Sequence, residues 1–195
     1  MKRLKQIILI VVLVPVYILS FVVIHEIGHT VLARFLGDPG SIFYLVQIDP
    51  GGRGACLGCN IYDHTRLSPL GNFIVSLGGL LFTQAVALIA LFLRHYMSMR
   101  NLPRRLLAAI ALGFAFLDVP VQVIQGLLYD LESHTWPTNV DLMDAMLLIS
   151  GWTGAPQVLL KTILAIGAVA YLYLFWRAYK GIQSRGKAGQ AQLAT

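Results

Sequence analysis

Residues 25–29 read HEIGH and stand near the end of an apolar run, "FVVIHEIGHTVLARFLG", over residues 21–37. On a helix, side chains four apart share a face, with Cβ atoms about 5–6 Å apart. Two imidazoles so placed, His25 and His29, can both reach one zinc ion through a ring nitrogen at ~2.0–2.1 Å. Glu26 follows the first histidine directly, so it projects from a neighbouring part of the helix surface and can hydrogen-bond a water on the metal. Zinc lowers the pKa of such a water to about 7. A carboxylate beside it can take the proton and later deliver it to a leaving amine. Gly28 leaves this part of the helix bare, open to a substrate backbone or to another helix. The pattern suits metal-assisted hydrolysis of a peptide bond, with Glu26 as the catalytic base.

A plainer account is a pair of histidines bonded to neighbouring helices, since HExxH also arises by chance. The surroundings weigh against it. The 195 residues are 57% hydrophobic and 12% charged, with a mean hydropathy of +0.71, whereas charged residues make up roughly a quarter of a soluble domain. A charge at mid-span costs ~2.5–3.5 kcal/mol on insertion scales, so ionisable groups in a span are functional candidates by default.

The elements that must position these groups are membrane helices. Four segments are apolar enough over the roughly 20 residues that a crossing needs: about 7–36, 70–94, 105–128 and 157–177. The expected fold is an all-α membrane protein, a bundle of about four transmembrane helices with a glycine-rich outer loop after the first. Residues 1–181 would form one polytopic membrane domain and 182–195 a disordered cytoplasmic tail. The N-terminus resembles a signal peptide, but no A-x-A site follows it, so it reads as a retained signal anchor. The first helix, about thirty residues long, would measure roughly 45 Å and must tilt, kink at Pro15 or protrude. The outer loop over residues 37–68 could form a small hairpin or fold back over the membrane.

Charge sets the expected orientation. The segments before the first span, between the second and third, and after the fourth hold eleven of the fifteen basic residues and none of the nine acids. By the positive-inside rule both termini and the middle loop are cytoplasmic. His25 then lies roughly 27 Å from the cytoplasmic end of a straight helix, toward the outer face. The net charge of +6 sits in these flanks, with no separate basic domain for nucleic acid. The expected partners are the bilayer and a membrane protein or peptide substrate.

An HExxH at the end of a transmembrane helix in a small multi-span chain resembles the site-2 protease family of intramembrane zinc metallopeptidases, above all its short, membrane-only members. The resemblance continues in "SPLGNFIVSLGGLLFTQAVALIALFL", where Gly78 and Gly79 open an apolar span. The family's Gly-Pro-x-x-Asn stretch is replaced here by "GGLLF"; Thr83 and Gln84 are the nearby polar groups, and Gln84 is a candidate for a supporting role beside the metal site.

Catalytic zinc usually takes three protein ligands and a water, and the resemblance implies that the third is an aspartate from a later helix. The familiar Asp-Gly is absent, which leaves Asp118, Asp130, Asp141 and Asp144. Asp118, in "FAFLDVPVQVIQG", is deep in the third span, roughly 20 Å up from Arg105. Asp141, in "TWPTNVDLMDAMLLISGWTG", opens an apolar segment on the side of HEIGH, where Thr138 or Asn139 could cap a helix. The string from Asp141 to Gly154 resembles the aspartate-bearing segment of the short family members. Asp141 is therefore the expected third ligand and Asp118 the alternative. Asp144 shares a helical face with Asp141 and could support it.

The outer loop also holds "CLGCNIYDH". Two cysteines are too few for a disulfide scaffold or a four-cysteine metal cluster, so Cys56 and Cys59 are expected to form a loop-stabilising disulfide or a free pair. Lys161, inside the fourth span, can snorkel to the outer surface. Asp130, Glu132 and His134 read as a solvated loop, with His134 able to reach the metal if that loop folds inward. The expected function is an intramembrane zinc metalloendopeptidase. Its rivals are a catalytically silent family member acting as a membrane chaperone or binding partner, and a metal transporter or sensor using His25, His29 and Asp118.

Overall fold

The computed structural model of the chain describes residues 2–48, 55–96, 101–130 and 140–192. Among the described residues, four helices are long and apolar enough to cross a membrane: Val14–Leu36, Gly78–Tyr96, Leu102–Leu128 and Gln157–Ile182. The all-α membrane fold expected from the sequence is the one observed. The chain divides into two compact units, Met1–Thr83 and Gln84–Thr195, taken in turn below.

The first unit opens with α1 (Lys2–Leu36), which carries Pro15 in its interior and HEIGH in its last third. Its C-terminus closes where the Asp38 N–H donates to the Ala33 carbonyl at 2.9 Å. An antiparallel hairpin follows, β1 (Ile42–Ile48) and β2 (Ala55–Ile61), in register from Ile42 opposite Ile61 to Ile48 opposite Ala55. The run "IFYLVQI" of β1 is rich in branched and aromatic residues that suit a strand. The glycine-rich outer loop thus contains a hairpin, and side chains fasten it to α1. Asn60 Nδ2 donates to the hydroxyls of Thr30 and Ser41, and Arg34 Nε donates to the Ser41 carbonyl at 2.8 Å. Buried Asp38 accepts the Asp63 N–H at 2.7 Å and the Gly40 N–H at 3.1 Å.

Next comes α2 (Pro69–Ser76). Ser68 caps it, its hydroxyl accepting the Gly71 N–H at 3.0 Å, and Pro69 takes a first-turn position where a missing N–H costs nothing. The apolar run over 70–94, read as one span, is in fact interrupted: α2 ends at Leu77 (φ −89°, ψ −4°) and α3 (Gly78–Tyr96) starts anew. Two successive glycines, each about 1 kcal/mol poorer than alanine in a helix, stand at that break. Ala33, Leu67 and Val75 form a small core beneath it, flanked by Leu32, Leu36 and Tyr62.

In the second unit α3 continues from Gln84. The third crossing, Leu102–Leu128, is built of α4 (Asn101–Gly113), a five-residue π-helical turn (Phe114–Asp118) and α5 (Val119–Leu128). A π-turn shifts the carbonyls out of their usual pairing, and Gln84 Nε2 donates to that of Phe114 at 3.1 Å. Tyr171 in turn donates its hydroxyl hydrogen to Gln84 Oε1 at 2.7 Å. Then come α6 (Asp141–Thr153) and α7 (Gln157–Gln192). Gly154, at φ +67°, ends α6 in the left-handed conformation that favours glycine. Met143, Met146 and Leu160 make the core between α6 and α7. At Gly126 on α5 a Cβ would meet Met146, Leu164 and Leu142 at 3.1–3.4 Å.

Lys161 Nζ donates to the carbonyls of Leu127 and Tyr129 at 3.0 and 2.5 Å, satisfying the end of α5. Beyond residue 182, where a disordered tail was expected, α7 stays helical to Gln192, in a stretch rich in helix-forming Ala, Gln, Lys and Arg. The residue at the N-cap of α6 is Val140. Glu132, His134, Thr138 and Asn139 lie outside the described residues.

The short 3₁₀ turn His64–Arg66 that links hairpin to α2 carries a pH-sensitive cap. Asp63 is held below the usual carboxylate range first by the Thr65 hydroxyl (2.6 Å), then by the Thr65 N–H (3.0 Å), and also by Arg66. A lowered pKa means that the folded state favours the ionised form. The cap's contribution is therefore complete above the ordinary carboxylate pKa of about 3.9 and is lost as pH falls through the lowered value. A carboxyl-carbon NMR titration is expected to place Asp63 below ordinary aspartates, and Thr65→Ala to move it back up.

Candidate metal centre

The C-terminal third of α1 buries both histidines of HEIGH, His25 to 7% exposure and His29 to 6%. Their ring centroids are 5.1 Å apart at an interplanar angle of 67°, as expected for neighbours one turn apart. His29 Nδ1 lies 2.6 Å from the Val75 carbonyl near the end of α2. A carbonyl can only accept, so Nδ1 carries the hydrogen and Nε2 presents its lone pair. That is the orienting bond which metal-ligating histidines commonly make through their second nitrogen.

His25 is placed by the absence of a side chain. A Cβ on Gly79 would fall onto its imidazole, with Nε2 the nearest ring atom. One turn along, the backbones themselves meet: a Cβ on Gly28 would strike the Gly78 carbonyl, and a Cβ on Gly78 would stand 2.9 Å from the His29 backbone. The bareness that Gly28 lends to α1 is therefore used by another helix, the start of α3.

The carboxylate of Glu26 lies under the hairpin. β2 passes over it at Gly58 (φ +74°), where a Cβ would collide with Val22 and come within 3.1 Å of Glu26 Cγ and 3.4 Å of Oε1. Next to that glycine, Cys59 is disulfide-bonded; the one other cysteine of the chain is Cys56.

Among the described residues, His25, His29 and Asp141 form a group that could hold a metal ion: their ligand atoms lie within 4.8 Å of one another. The donor set is two imidazoles and one carboxylate, a set that suits catalytic zinc. Asp141 stands in the first turn of α6, half-buried, with Asp144 buried one turn on. Asp118, the alternative third ligand, is buried at the end of the π-turn and is not a member of the group. Gln84 is engaged with Phe114 and Tyr171. Thr83 bonds back onto the Gly79 and Leu80 carbonyls of its own helix.

Sequence reasoning missed three participants: the Val75 carbonyl, Gly79 and Gly58. The first has no sequence signature, because any residue supplies a carbonyl. The glycines were visible, and a Gly-Gly pair after a helix break is a sign of close backbone approach. No family model, no curated protein and no solved structure matches the chain.

The two glycines should separate in their effects. Gly28→Ala forces the α1–α3 crossing apart and is expected to cost about 1–3 kcal/mol of stability, in the range of overpacking, read as a lowered unfolding midpoint in detergent. Gly79→Ala acts on His25 directly, and a metal-binding titration is expected to show at least about a tenfold loss of affinity, as when an orienting partner is removed.

Proposed function

We propose that the chain is an intramembrane zinc metallopeptidase, similar to the site-2 proteases, that hydrolyses a peptide bond of a membrane-associated protein. One observation carries this reading: the HExxH histidines and Asp141 bring three donor atoms within 4.8 Å of one another, beside a helix-borne glutamate. His25, His29 and Asp141 would hold the ion. Zinc bound there would acidify a water and polarise the scissile carbonyl.

The remaining chemistry belongs to the chain. Glu26 accepts the proton of the attacking water and returns it to the leaving amine. His29 is kept in one tautomer by the Val75 carbonyl, so its Nε2 stays available as a donor. Gly58 keeps β2 close to Glu26 without a side chain intruding on the carboxylate. A substrate helix would have to unwind locally, because a helical peptide bond is shielded by its own hydrogen bonds. The charge pattern supports cytoplasmic termini, with the reactive groups toward the outer face.

Metal analysis of the purified protein tests this, together with mass spectrometry of products from a panel of single-span membrane peptides. Wild type is expected to carry about one zinc per chain. His25→Ala and Asp141→Ala should lose it, and Asp118→Ala should keep it. Glu26→Gln should retain zinc while cleavage falls by about 10²–10⁴-fold, the range for loss of a general base. Wild type that stays zinc-free after reloading would overturn the reading in favour of a scaffold. Metal transport that depends on Asp118 and tolerates Glu26→Gln would overturn it in favour of a transporter.

A further inference from the structure

Cys59 of β2 is disulfide-bonded, and the one other cysteine of the chain is Cys56. The bond therefore closes a loop of four residues, with Leu57 and Gly58 inside it. A cross-link stabilises a fold least when the loop it closes is shortest, so this one contributes little as a staple. Its effect is local. Residues three apart on a regular strand point to opposite faces and stand about 10 Å apart, whereas a disulfide holds its two Cα atoms within roughly 7 Å. β2 must therefore leave the extended line between the two cysteines, and Gly58, at φ +74°, is where it does so. The bond and the bend are one feature.

That bend lies against the reactive end of α1. A Cβ on Gly58 would collide with Val22 and would stand 3.1 Å from Cγ and 3.4 Å from Oε1 of the half-buried Glu26. Just beyond the bend the strand is anchored. Asn60 Nδ2 donates to the Thr30 hydroxyl, and that hydroxyl donates to the Glu26 carbonyl at 3.1 Å. Glu26 is thus held at two points, its backbone through the anchored end of β2 and its side chain by the bent segment that the disulfide ties to that end. Breaking the bond frees residues 56–58 to straighten along β1, which moves Gly58 off the carboxylate. Cys59 is half-buried, so a small thiol can approach it.

We propose that the disulfide of Cys56 and Cys59 is a redox latch that positions Glu26, and that its reduction by a dithiol slows the reaction. This rests on the peptidase reading, in which Glu26 is the general base. The reductant supplies two electrons and two protons. One of its thiolates attacks a sulfur of the bond, a mixed disulfide forms, and its second thiol resolves that intermediate. Two cysteine thiols and the disulfide of the reductant remain. The charge pattern favours the outer side for this hairpin, where disulfides form and persist, so the latched form is the resting one. The metal group shares no residue with the latch, and reduction leaves the ion in place.

The test compares the full chain in detergent before and after treatment with a dithiol that is then removed, alongside a Cys56→Ser/Cys59→Ser double variant. Reduction is confirmed by the gain of two alkylatable thiols in an aliquot. Three quantities are read: amide hydrogen exchange over residues 56–58, zinc content, and kcat and KM on a cleaved membrane peptide. Reduction is expected to speed the exchange and to lower kcat by about 10–10²-fold, the scale for a catalytic group displaced by about an ångström, with KM and zinc unchanged. Reoxidation restores the rate, and the double variant stays slow and does not respond to the dithiol. Exchange and kcat that are both unchanged would overturn the latch. Loss of zinc in parallel with kcat would overturn it in favour of a structural staple, and a rise in kcat in favour of a cover. Faster exchange on reduction in a protein that cleaves nothing in either state would support the hold of the bond on β2 and overturn the peptidase reading instead.

Discussion

Where α1 crosses the start of α3, Gly28 meets Gly78 with backbone against backbone, and the placement of the histidines follows from that contact. At this separation His25 can lie on Gly79 and His29 can reach the Val75 carbonyl. The helix break at Leu77 belongs to the same arrangement. An unbroken helix would pair the Val75 carbonyl with the amide of residue 79 through the regular i to i+4 bond. Ending α2 one residue after Ser76 instead turns that carbonyl toward α1, where an imidazole N–H meets it. The absence of two side chains thus decides the tautomer of a third.

A second regularity runs through both units. Apolar surroundings leave no water for backbone groups that helices fail to pair, and wherever a helix is interrupted a polar side chain attends the carbonyls there. His29 serves Val75 beside the break between α2 and α3. Gln84 serves Phe114 at the π-turn, and Lys161 serves Leu127 and Tyr129 at the end of α5. Lys161 and Gln84, which look anomalous in apolar sequence, are explained by the backbone they satisfy.

The sequence made the local signals legible. HEIGH, the four apolar segments, the Ser68-Pro69 helix start and the branched residues of β1 act within a few residues, so their meaning survives without a structure. Interruptions within apolar runs were not legible, because Leu77 and Phe114 have neighbours as hydrophobic as themselves and hydropathy does not register a change of hydrogen-bond pattern. Partners distant in the chain were equally hidden: nothing near Lys161 points to residue 127. For the metal group, spacing alone was enough to join His25 and His29, whereas choosing Asp141 over Asp118 drew on the side of the membrane where its segment opens and on the resemblance of that segment to the family.

The π-turn at Phe114–Asp118 has a consequence for the length of the third crossing. Such a turn is an α-helix carrying one surplus residue, and each residue advances a helix by ~100°. Beyond it the buried positions recur as Asp118, Val119, Gln122, Val123 and Gly126, one coherent stripe whose phase is set by that surplus. Drawing 114–118 into a regular α-helix with the surplus residue kept would rotate α5 by about a quarter-turn against α4, carrying Gly126 away from Met146 and Leu164. Removing one residue from the turn would instead mend the helix and leave α5 facing its neighbours. The turn is thus a spacer: it lets a crossing one residue longer keep the face that a regular helix of the same length would lose.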